Sequence, residues 1–260
     1  QVNMLTLRRH EKDFLARLDL SYDAEFNEIM NSLFKDQIRL ENVMDAYSID
    51  TNILLELTQD FKEYQANFLS VVTASQKLGL TPETGLQGEL RSAVHNIESE
   101  LSTLNQGALL VSMLQLRRHE KDFMLRSNPK YIVSFNKTLD QLERTLGKAS
   151  LPTDKTQLLS SLTEQYRKSF NQYSDGKKEL GLTSKQGKLL SMRTSIHKTE
   201  MALDALEVQL TQAIHLKASF SMMLTEILCG IIIVVGVFFA WIINRTINSA
   251  LSTIQTTMRE

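Results

Sequence analysis

Residues able to bind a small anion are concentrated in one short string that occurs twice in the sequence. The string Leu-Arg-Arg-His-Glu-Lys-Asp-Phe stands at Leu7–Phe14 and, letter for letter, at Leu116–Phe123. It places two guanidinium groups, an imidazole and a carboxylate close together on one helical segment. Because the planar fork of arginine holds a carboxylate in bidentate fashion, the string indicates a binding site for organic acids.

A second pattern, arginine followed four residues later by histidine, is also repeated. Its members are Arg91 with His95 and Arg193 with His197. This pattern recurs after 102 residues, whereas the first string recurs after 109. Matches at these two offsets define internal repeats at residues 4–104 and 113–206. The unit of the fold is therefore about a hundred residues, used twice.

The glutamate of each string is predicted to face the interior of a helix bundle. With Leu7 at the centre of an inward stripe, Glu11 and Phe14 lie within about 40° of it on an α-helix. A buried carboxylate needs a partner, so Glu11 and Glu120 are expected to be structural clamps, each paired with an arginine across the bundle. The alternative is that each bundle has more converging cations than its glutamate neutralises, which leaves a place for an acid. Both hypotheses stay open.

Other chemistries have no support in the residue pattern. No nucleophile is spaced with a base, no Gly-rich loop is suited to phosphate, and the one cysteine, Cys229, forms no cluster. His10 and Glu11 are adjacent and point apart on a helix, so we expect neither a metal site nor a cofactor. A net charge of −1 gives no basic field for nucleic acid. The chain is therefore predicted not to be an enzyme.

The composition favours long amphipathic helices, and the predicted fold class is all-α. The 260 residues include only 10 Gly and 3 Pro, with 42% hydrophobic and 23% charged residues. Apolar spacing predicts six helices in the order long, short, short, long, short, short. The first long helix is expected to run unbroken from near residue 1 to about Tyr47. The second is expected from Ala108 to about Leu146, with Pro129 kinking it or breaking it for a turn.

Helix lengths predict how these elements are stacked. A helix of about 47 residues is roughly 70 Å long, and one of about 25 residues is roughly 38 Å long. If each short helix reaches halfway along a long one, the product is two stacked four-helix bundles that share both long helices. Each string then lies beside the Arg-x-x-x-His helix of the other repeat, so that each site is built from both repeats.

An apolar run at residues 221–243 is predicted to be a transmembrane helix in contact with lipid. Its length matches the roughly 20 residues that cross a bilayer. Glu226 is its one charge, and Trp241 is an interfacial anchor near its end. Residues 1–220 then form one sensor domain, and residues 244–260 follow the span. Basic residues after the span favour a cytoplasmic C-terminus.

Taken together, these features resemble a known family. The duplicated strings, the expected stacked bundles and the C-terminal span are similar to the helical bimodular sensor region of bacterial methyl-accepting chemotaxis proteins, also found in some sensor histidine kinases. After the span, the segment from Arg245 through Ile247, Leu251 and Ile254 to Met258 resembles the first helix of a HAMP linker. The family usually has proline where Ala250 stands, so the entry to that helix is expected to be less kinked here.

The resemblance implies a chemoreceptor of the bacterial inner membrane, with residues 1–220 in the periplasm, a first span upstream and a homodimeric state. It implies small organic acids as ligands. The membrane-near bundle is expected to take a dicarboxylate such as malate or succinate at Arg8, Arg9 and Arg193. The outer bundle is expected to take a smaller acid such as acetate, near Arg117, Arg118 and Arg91. Some members of this family instead bind a periplasmic binding protein through the same surface.

The candidate ligand-binding residues fall into two sets, one for each expected bundle. The membrane-proximal set is Arg8, Arg9, His10, Arg193 and His197, and the membrane-distal set is Arg91, His95, Arg117, Arg118 and His119. The output domain, either a methylated signalling helix or a kinase, is expected beyond Glu260. The hypotheses that remain are a receptor for small acids, the input domain of a sensor kinase, and a docking module for a binding protein.

Overall fold

The computed structural model describes residues 2–104 and 106–257, with side chains described as far as Arg245. Over these residues the chain is all-helical, with eight α-helices and no strand, which confirms the predicted fold class and corrects the predicted number of helices. The helices are α1 (Val2–Arg17), α2 (Ser21–Ala46), α3 (Asn52–Leu78), α4 (Gly85–Ser102), α5 (Gly107–Arg126), α6 (Lys130–Leu146), α7 (Thr153–Leu180) and α8 (Gly187–Thr257).

The unbroken helix expected from residue 1 to Tyr47 is two helices, so this prediction was wrong. α1 ends at Arg17, Leu18 adopts a left-handed backbone conformation (φ 55°), and α2 begins at Ser21. The carboxylate of Asp19 accepts a hydrogen bond from the Ser21 N–H (2.9 Å), which satisfies a backbone donor at the start of α2. The sequence at this break contains no glycine or proline. A leucine occupies the left-handed position, although that conformation is strained for a residue with a side chain.

The second expected long helix is broken at the equivalent place, and the prediction that Pro129 interrupts it is confirmed. α5 ends at Arg126, and Ser127 is left-handed (φ 50°). The side-chain oxygen of Asn128 accepts a hydrogen bond from the Lys130 N–H (3.0 Å), as Asp19 does in the first repeat. Proline has no N–H to donate and has a fixed φ, so it suits the start of a new helix.

Both breaks reverse the chain and turn the expected long helices into hairpins. Phe14 of α1 and Phe26 of α2 both contact Phe68 of α3, with ring centroids 5.7 and 4.1 Å away. In a continuous helix Phe14 and Phe26 would be about 18 Å apart. Neither of the two expected long helices is present, and among the described residues the one helix of greater length is α8, with 71 residues.

Contacts divide the helices of residues 2–203 into two groups of four. The first helix group comprises α1, α2, α3 and residues 187–203 of α8, joined by contacts such as that between Glu11 and Tyr64. The second helix group comprises α4, α5, α6 and α7, whose leucines and aromatic rings form one core together with Leu78. Each group takes three helices from one repeat and the fourth from the other.

The chain separates into two compact units, Gln1–Leu203 and Asp204–Glu260. The second unit contains the remainder of α8. Within Gly187–Arg245 this helix is long and apolar enough to cross a membrane, with a mean hydropathy of 2.7 in its most apolar window and none of that window buried. Its length and composition match those of helices that cross a bilayer. Met258, the last residue of the segment likened to a HAMP helix, lies outside the described residues.

The left-handed Ser127 gives a direct test of the hairpin geometry. Glycine adopts this conformation without the steric cost that a side chain brings, so Ser127→Gly should raise the free energy of unfolding by about 1 kcal/mol. Urea unfolding followed by circular dichroism measures the change. Ser99→Gly in the exposed interior of α4 is the matched control, and it should destabilise by about 0.5 to 1 kcal/mol. An equal loss of unfolding free energy in Ser127→Gly and Ser99→Gly would contradict the left-handed conformation at Ser127.

Candidate functional site

The two glutamates of the repeated string lie in the interior, as predicted, and each has a tyrosine as its partner across the helix group. Glu11 and Glu120 are each only 1% exposed. One oxygen of Glu11 accepts a hydrogen bond from the Tyr64 hydroxyl (2.8 Å), and one oxygen of Glu120 accepts from the Tyr166 hydroxyl (2.6 Å). The tyrosines are 102 residues apart, so they are equivalent positions of the two repeats.

The cations beside each glutamate come from its own helix, which differs from the expected clamp to an arginine across the bundle. Lys12 Nζ donates to Glu11 Oε1 at 2.7 Å, and Lys121 Nζ lies 3.6 Å from Glu120 Oε1. Arg117 Nη1 lies 2.6 Å from Glu120 Oε1, and Arg8 Nη1 lies 3.6 Å from Glu11 Oε2. Each arginine precedes its glutamate by three residues, a spacing that puts both side chains on one face of a helix. The interior space across from the glutamate is filled by the aromatic ring of the tyrosine.

Each of these arginines also reaches a glutamate on a helix of the other repeat. Arg117 Nε lies 3.1 Å from Glu98 Oε1 on α4, and Arg8 Nε lies 3.7 Å from Glu200 Oε1 on α8. The string of one repeat therefore contacts the Arg-x-x-x-His helix of the other repeat in both helix groups. The distances are shorter around Arg117, so its guanidinium is held more firmly than that of Arg8.

Burial controls the protonation of these groups. Burial first, and then the charge of the adjacent glutamate, raise the pKa of Tyr64 and of Tyr166 far above the ordinary value of a tyrosine. Both hydroxyls therefore stay protonated and donate to the carboxylates. Burial lowers the pKa of Arg117, but Glu120, Tyr166 and Glu98 together outweigh burial, and the pKa is raised. Arg117 is a permanent cation.

An open cavity of about 420 Å³ lies beside this cluster in the second helix group, between α4 and α5. Its charged and titratable lining residues are Arg91, His95, Glu98, Arg117, Glu120 and Lys121. Apart from His95, the lining has three cations and two carboxylates, and Glu83 pairs with Arg91 from outside the lining at 3.0 Å. The lining itself therefore has one more cation than carboxylates. Three of the five residues predicted for the distal site, Arg91, His95 and Arg117, are thus brought together around one space.

The other two predicted distal residues are not among those that line this cavity. Arg118 is exposed and His119 is half-buried. Nδ1 of His119 is buried and has no hydrogen-bond partner among the residues that the structure describes. Burial and the charge of Arg118 lower the pKa of His119, which keeps the imidazole neutral near pH 7. The prediction that Arg118 and His119 contact the ligand has no geometric support here.

The predicted membrane-proximal residues point in several directions. Arg193 is exposed, and its Nη1 donates to the Ser184 hydroxyl at 3.4 Å. His197 is 73% exposed, with Nδ1 4.0 Å from Glu200 Oε2. Arg9 is also exposed. The structure therefore directs Arg193 towards the loop before α8, whereas Arg8 faces Glu11 and Glu200.

His10, the remaining member of the proximal set, is buried and turned towards α2. It is 7% exposed, and its Nδ1 lies 2.9 Å from Glu25 Oε2. Among the described residues, Nδ1 has no hydrogen-bond partner despite this short distance. This contact, and the ring of Tyr22 with its centroid 6.4 Å from that of His10, join α1 to α2 across the hairpin.

Sequence reasoning missed the tyrosines and Lys121. The pattern Tyr-x-x-x-Phe at Tyr64 and Phe68 recurs 102 residues later at Tyr166 and Phe170, and this repeat is the sequence signal that marks both tyrosines. Lys121 belongs to the repeated string itself, but its side chain was given no role.

Comparison of the chain with protein-family models, with curated proteins and with solved structures finds no match in any of the three.

Proposed function

We propose that the chain is the sensor region of a membrane-anchored receptor for small organic acids, of the kind found in methyl-accepting chemotaxis proteins. The observation that carries the proposal is the cavity between α4 and α5. Arg91 comes from the first repeat and Arg117 from the second, and together with Lys121 they give the lining more positive than negative charge. Such a space favours an anion over a neutral ligand.

The helix groups support a bimodular architecture for this receptor. Each group has four helices, and each is completed by a helix from the other repeat. We infer two stacked four-helix bundles, with hairpins in place of the long shared helices that the sequence suggested. A small acid in the second bundle would then bridge two repeats, so neither repeat would bind it alone.

The geometry favours an acid of two to four carbons in the α4–α5 cavity. Arg117 is already engaged by Glu98 and Glu120. Arg91 is exposed, and its one ion pair within the described residues is with Glu83 on the surface, at 3.0 Å. A ligand carboxylate can therefore recruit Arg91 with little loss, because surface ion pairs are weak. A dicarboxylate site at Arg8 is a weaker part of the proposal, supported by the loose contacts of that guanidinium with Glu11 and Glu200.

Signalling in this receptor would pass through α8. Lys198 Nζ lies 2.7 Å from the Oδ1 of Asp60, a buried carboxylate of α3, and this contact joins α8 to α3. The same helix contains the apolar segment proposed to span the membrane. A ligand that binds one packing arrangement of the bundles better than another would shift the position of this helix. Dimerisation and output through a HAMP linker, to chemotaxis proteins or to a kinase, belong to the same proposal.

A second candidate function is a docking module for a periplasmic binding protein. The observation that favours it is that Arg117 is satisfied within the fold by two glutamates, as a structural clamp would be. In that case the arginines maintain the bundle, and no acid binds the cavity.

Calorimetric titration of the full chain in nanodiscs with acids of two to four carbons separates these functions. For an acid that binds, Arg91→Ala should weaken the affinity roughly tenfold or more through loss of a charge-assisted contact. The change should leave stability within about 0.5 kcal/mol, because the side chain is exposed. Arg118→Ala is the matched control and should bind like the parent chain. Absence of heat with every acid would reject the receptor and favour the docking module.

A further inference from the structure

A second cavity, which we call the central cavity, lies where the two helix groups meet. It has a volume of about 460 Å³. Its lining includes Leu18 and Ser127, at the two hairpin breaks, and Gly79 and Gly181, which follow α3 and α7. These four residues form two pairs of equivalent positions in the two repeats. The cavity is therefore built at the junction of the repeats, away from Arg91 and Arg117.

Most of the central cavity is apolar, and one cation lines it. Leucines from several elements form its walls, among them Leu15, Leu78, Leu180 and Leu189. The cation is Lys177, on the last turn of α7. A wall of this kind suits the hydrocarbon part of a ligand.

Lys177 has no carboxylate partner among the described residues, in contrast to the lysines around it. Lys77 and Lys188 both pair with Glu179, at 3.7 and 3.3 Å, and Lys178 pairs with Asp175 at 2.9 Å. Burial lowers the pKa of Lys177, with no nearby charge to offset the effect. An anion placed beside this ammonium would restore the lost stabilisation of its charged form.

The fold itself does not require a lysine at this position. The equivalent residue of the first repeat is Ser75, 102 residues earlier, and it lines the same cavity. Ser75 is buried, and its hydroxyl donates to the Val71 carbonyl at 2.8 Å. The two repeats thus place a neutral, internally satisfied side chain and an unpaired cation on the same space.

We propose that the central cavity binds a monocarboxylic acid with an apolar body, such as an aromatic or medium-chain acid, with its carboxylate on Lys177. The apolar body lies against the leucines. The cavity volume falls within the range of roughly 300 to 1,000 Å³ that is typical of small-molecule sites. Ligands of the α4–α5 cavity are smaller and more polar, so the two sites select different acids.

The position of the central cavity connects it to the start of α8. Thr183, Ser184 and Leu189 line it, and they belong to the loop before α8 and to its first turn. Ser184 also accepts the hydrogen bond from Arg193. A bound acid therefore contacts the segment from which α8 begins, and it would modulate the receptor function proposed above.

Binding of benzoate to the full chain in nanodiscs tests this site, with calorimetry as the measurement. We expect benzoate to bind, and Lys177→Met to weaken its affinity roughly tenfold or more. Lys178→Met on the exposed side of α7 is the matched control and should leave the affinity unchanged. Lys177→Arg keeps the charge and should retain binding, which guards against a fold defect in the methionine variant. Benzyl alcohol, which has the same ring without the charge, should bind at least about tenfold more weakly.

Two outcomes would overturn the proposal: no binding of benzoate to the parent chain, or equal affinity in the parent and in Lys177→Met. Arg91→Ala should leave benzoate binding unchanged, because Arg91 does not line the central cavity. The two sites can therefore fail independently. Loss of acetate-type binding removes the proposed receptor site, whereas loss of benzoate binding removes only the central site.

Discussion

Tyr166→Phe should lower the free energy of unfolding by about 1.5 to 3 kcal/mol, the usual contribution of a hydrogen bond to a charged group. The hydroxyl of Tyr166 donates to the buried Glu120 at 2.6 Å, and the substitution leaves that carboxylate one donor short. The ring, and its edge-to-face contact with Phe135 (5.0 Å between centroids), is retained. The loss of unfolding free energy therefore measures the contribution of the hydrogen bond and not a loss of packing. Urea unfolding of the detergent-solubilised chain measures it.

Tyr173→Phe is the matched control for this experiment. Tyr173 is also a buried tyrosine of α7, 5% exposed, and its hydroxyl makes no hydrogen bond in the described part of the chain. Loss of its hydroxyl should change stability by less than about 0.5 kcal/mol. Similar costs in the two variants would show that Glu120 does not depend on Tyr166. Tyr64→Phe should repeat the larger effect in the first helix group, where Tyr64 donates to Glu11.

Gln37→Leu should raise the free energy of unfolding by about 1 to 3 kcal/mol, because it removes a buried polar group that has no partner. Gln37 is 8% exposed, and neither its side-chain oxygen nor its nitrogen makes a hydrogen bond within the described part of the chain. The equivalent residue of the second repeat, 109 residues later, is Leu146, which belongs to the core of the second helix group. The substitution therefore places at position 37 the residue type that occupies the equivalent position of the second repeat.

Leu146→Gln is the reciprocal variant, and it should lower stability because it buries an amide among leucines. Thermal unfolding of both variants beside the parent chain measures the pair of effects. A loss of stability in Gln37→Leu would mean that the Gln37 amide has a partner in solution, such as a bound water or ligand.

The sequence predicted the class of fold well because apolar periodicity and a scarcity of glycine and proline are enough to indicate helices. The helix break at Leu18 escaped prediction, since leucine rarely takes a left-handed conformation. The second repeat contained the missing signal. Ser127, Asn128 and Pro129 align with Leu18, Asp19 and Leu20, so a break at Pro129 implies one in the first repeat as well.

The sequence predicted which helices are neighbours better than it predicted how the chain connects them. The contacts of Arg8 with Glu200 and of Arg117 with Glu98 place each string beside a helix of the other repeat, as expected. The expected route through long shared helices was wrong, however. Each repeat contributes three helices to one group, so a four-helix core requires the fourth helix from the other repeat.

Side-chain directions could not be predicted from the repeat alone. Arg91 and Arg193 occupy equivalent positions, yet Arg91 lines the α4–α5 cavity and pairs with Glu83, whereas Arg193 bonds Ser184. The residue equivalent to Glu83 is Lys185, which repels an arginine, and the residue equivalent to Ser184 is Pro82, which has no hydroxyl. Small differences in the preceding loop therefore decide where each guanidinium points.

The most direct test of the account is a distance measurement between a bound acid and the arginines of the α4–α5 cavity. Solid-state magnetic resonance on the full chain in nanodiscs, with an isotope-labelled acetate carboxylate and labelled guanidinium nitrogens, detects their dipolar coupling. We predict a coupling that corresponds to direct contact, and its loss or strong reduction in Arg91→Ala but not in Arg118→Ala. A coupling absent from the parent chain at saturating acetate, or unchanged in Arg91→Ala, would contradict an acid site formed by the two repeats.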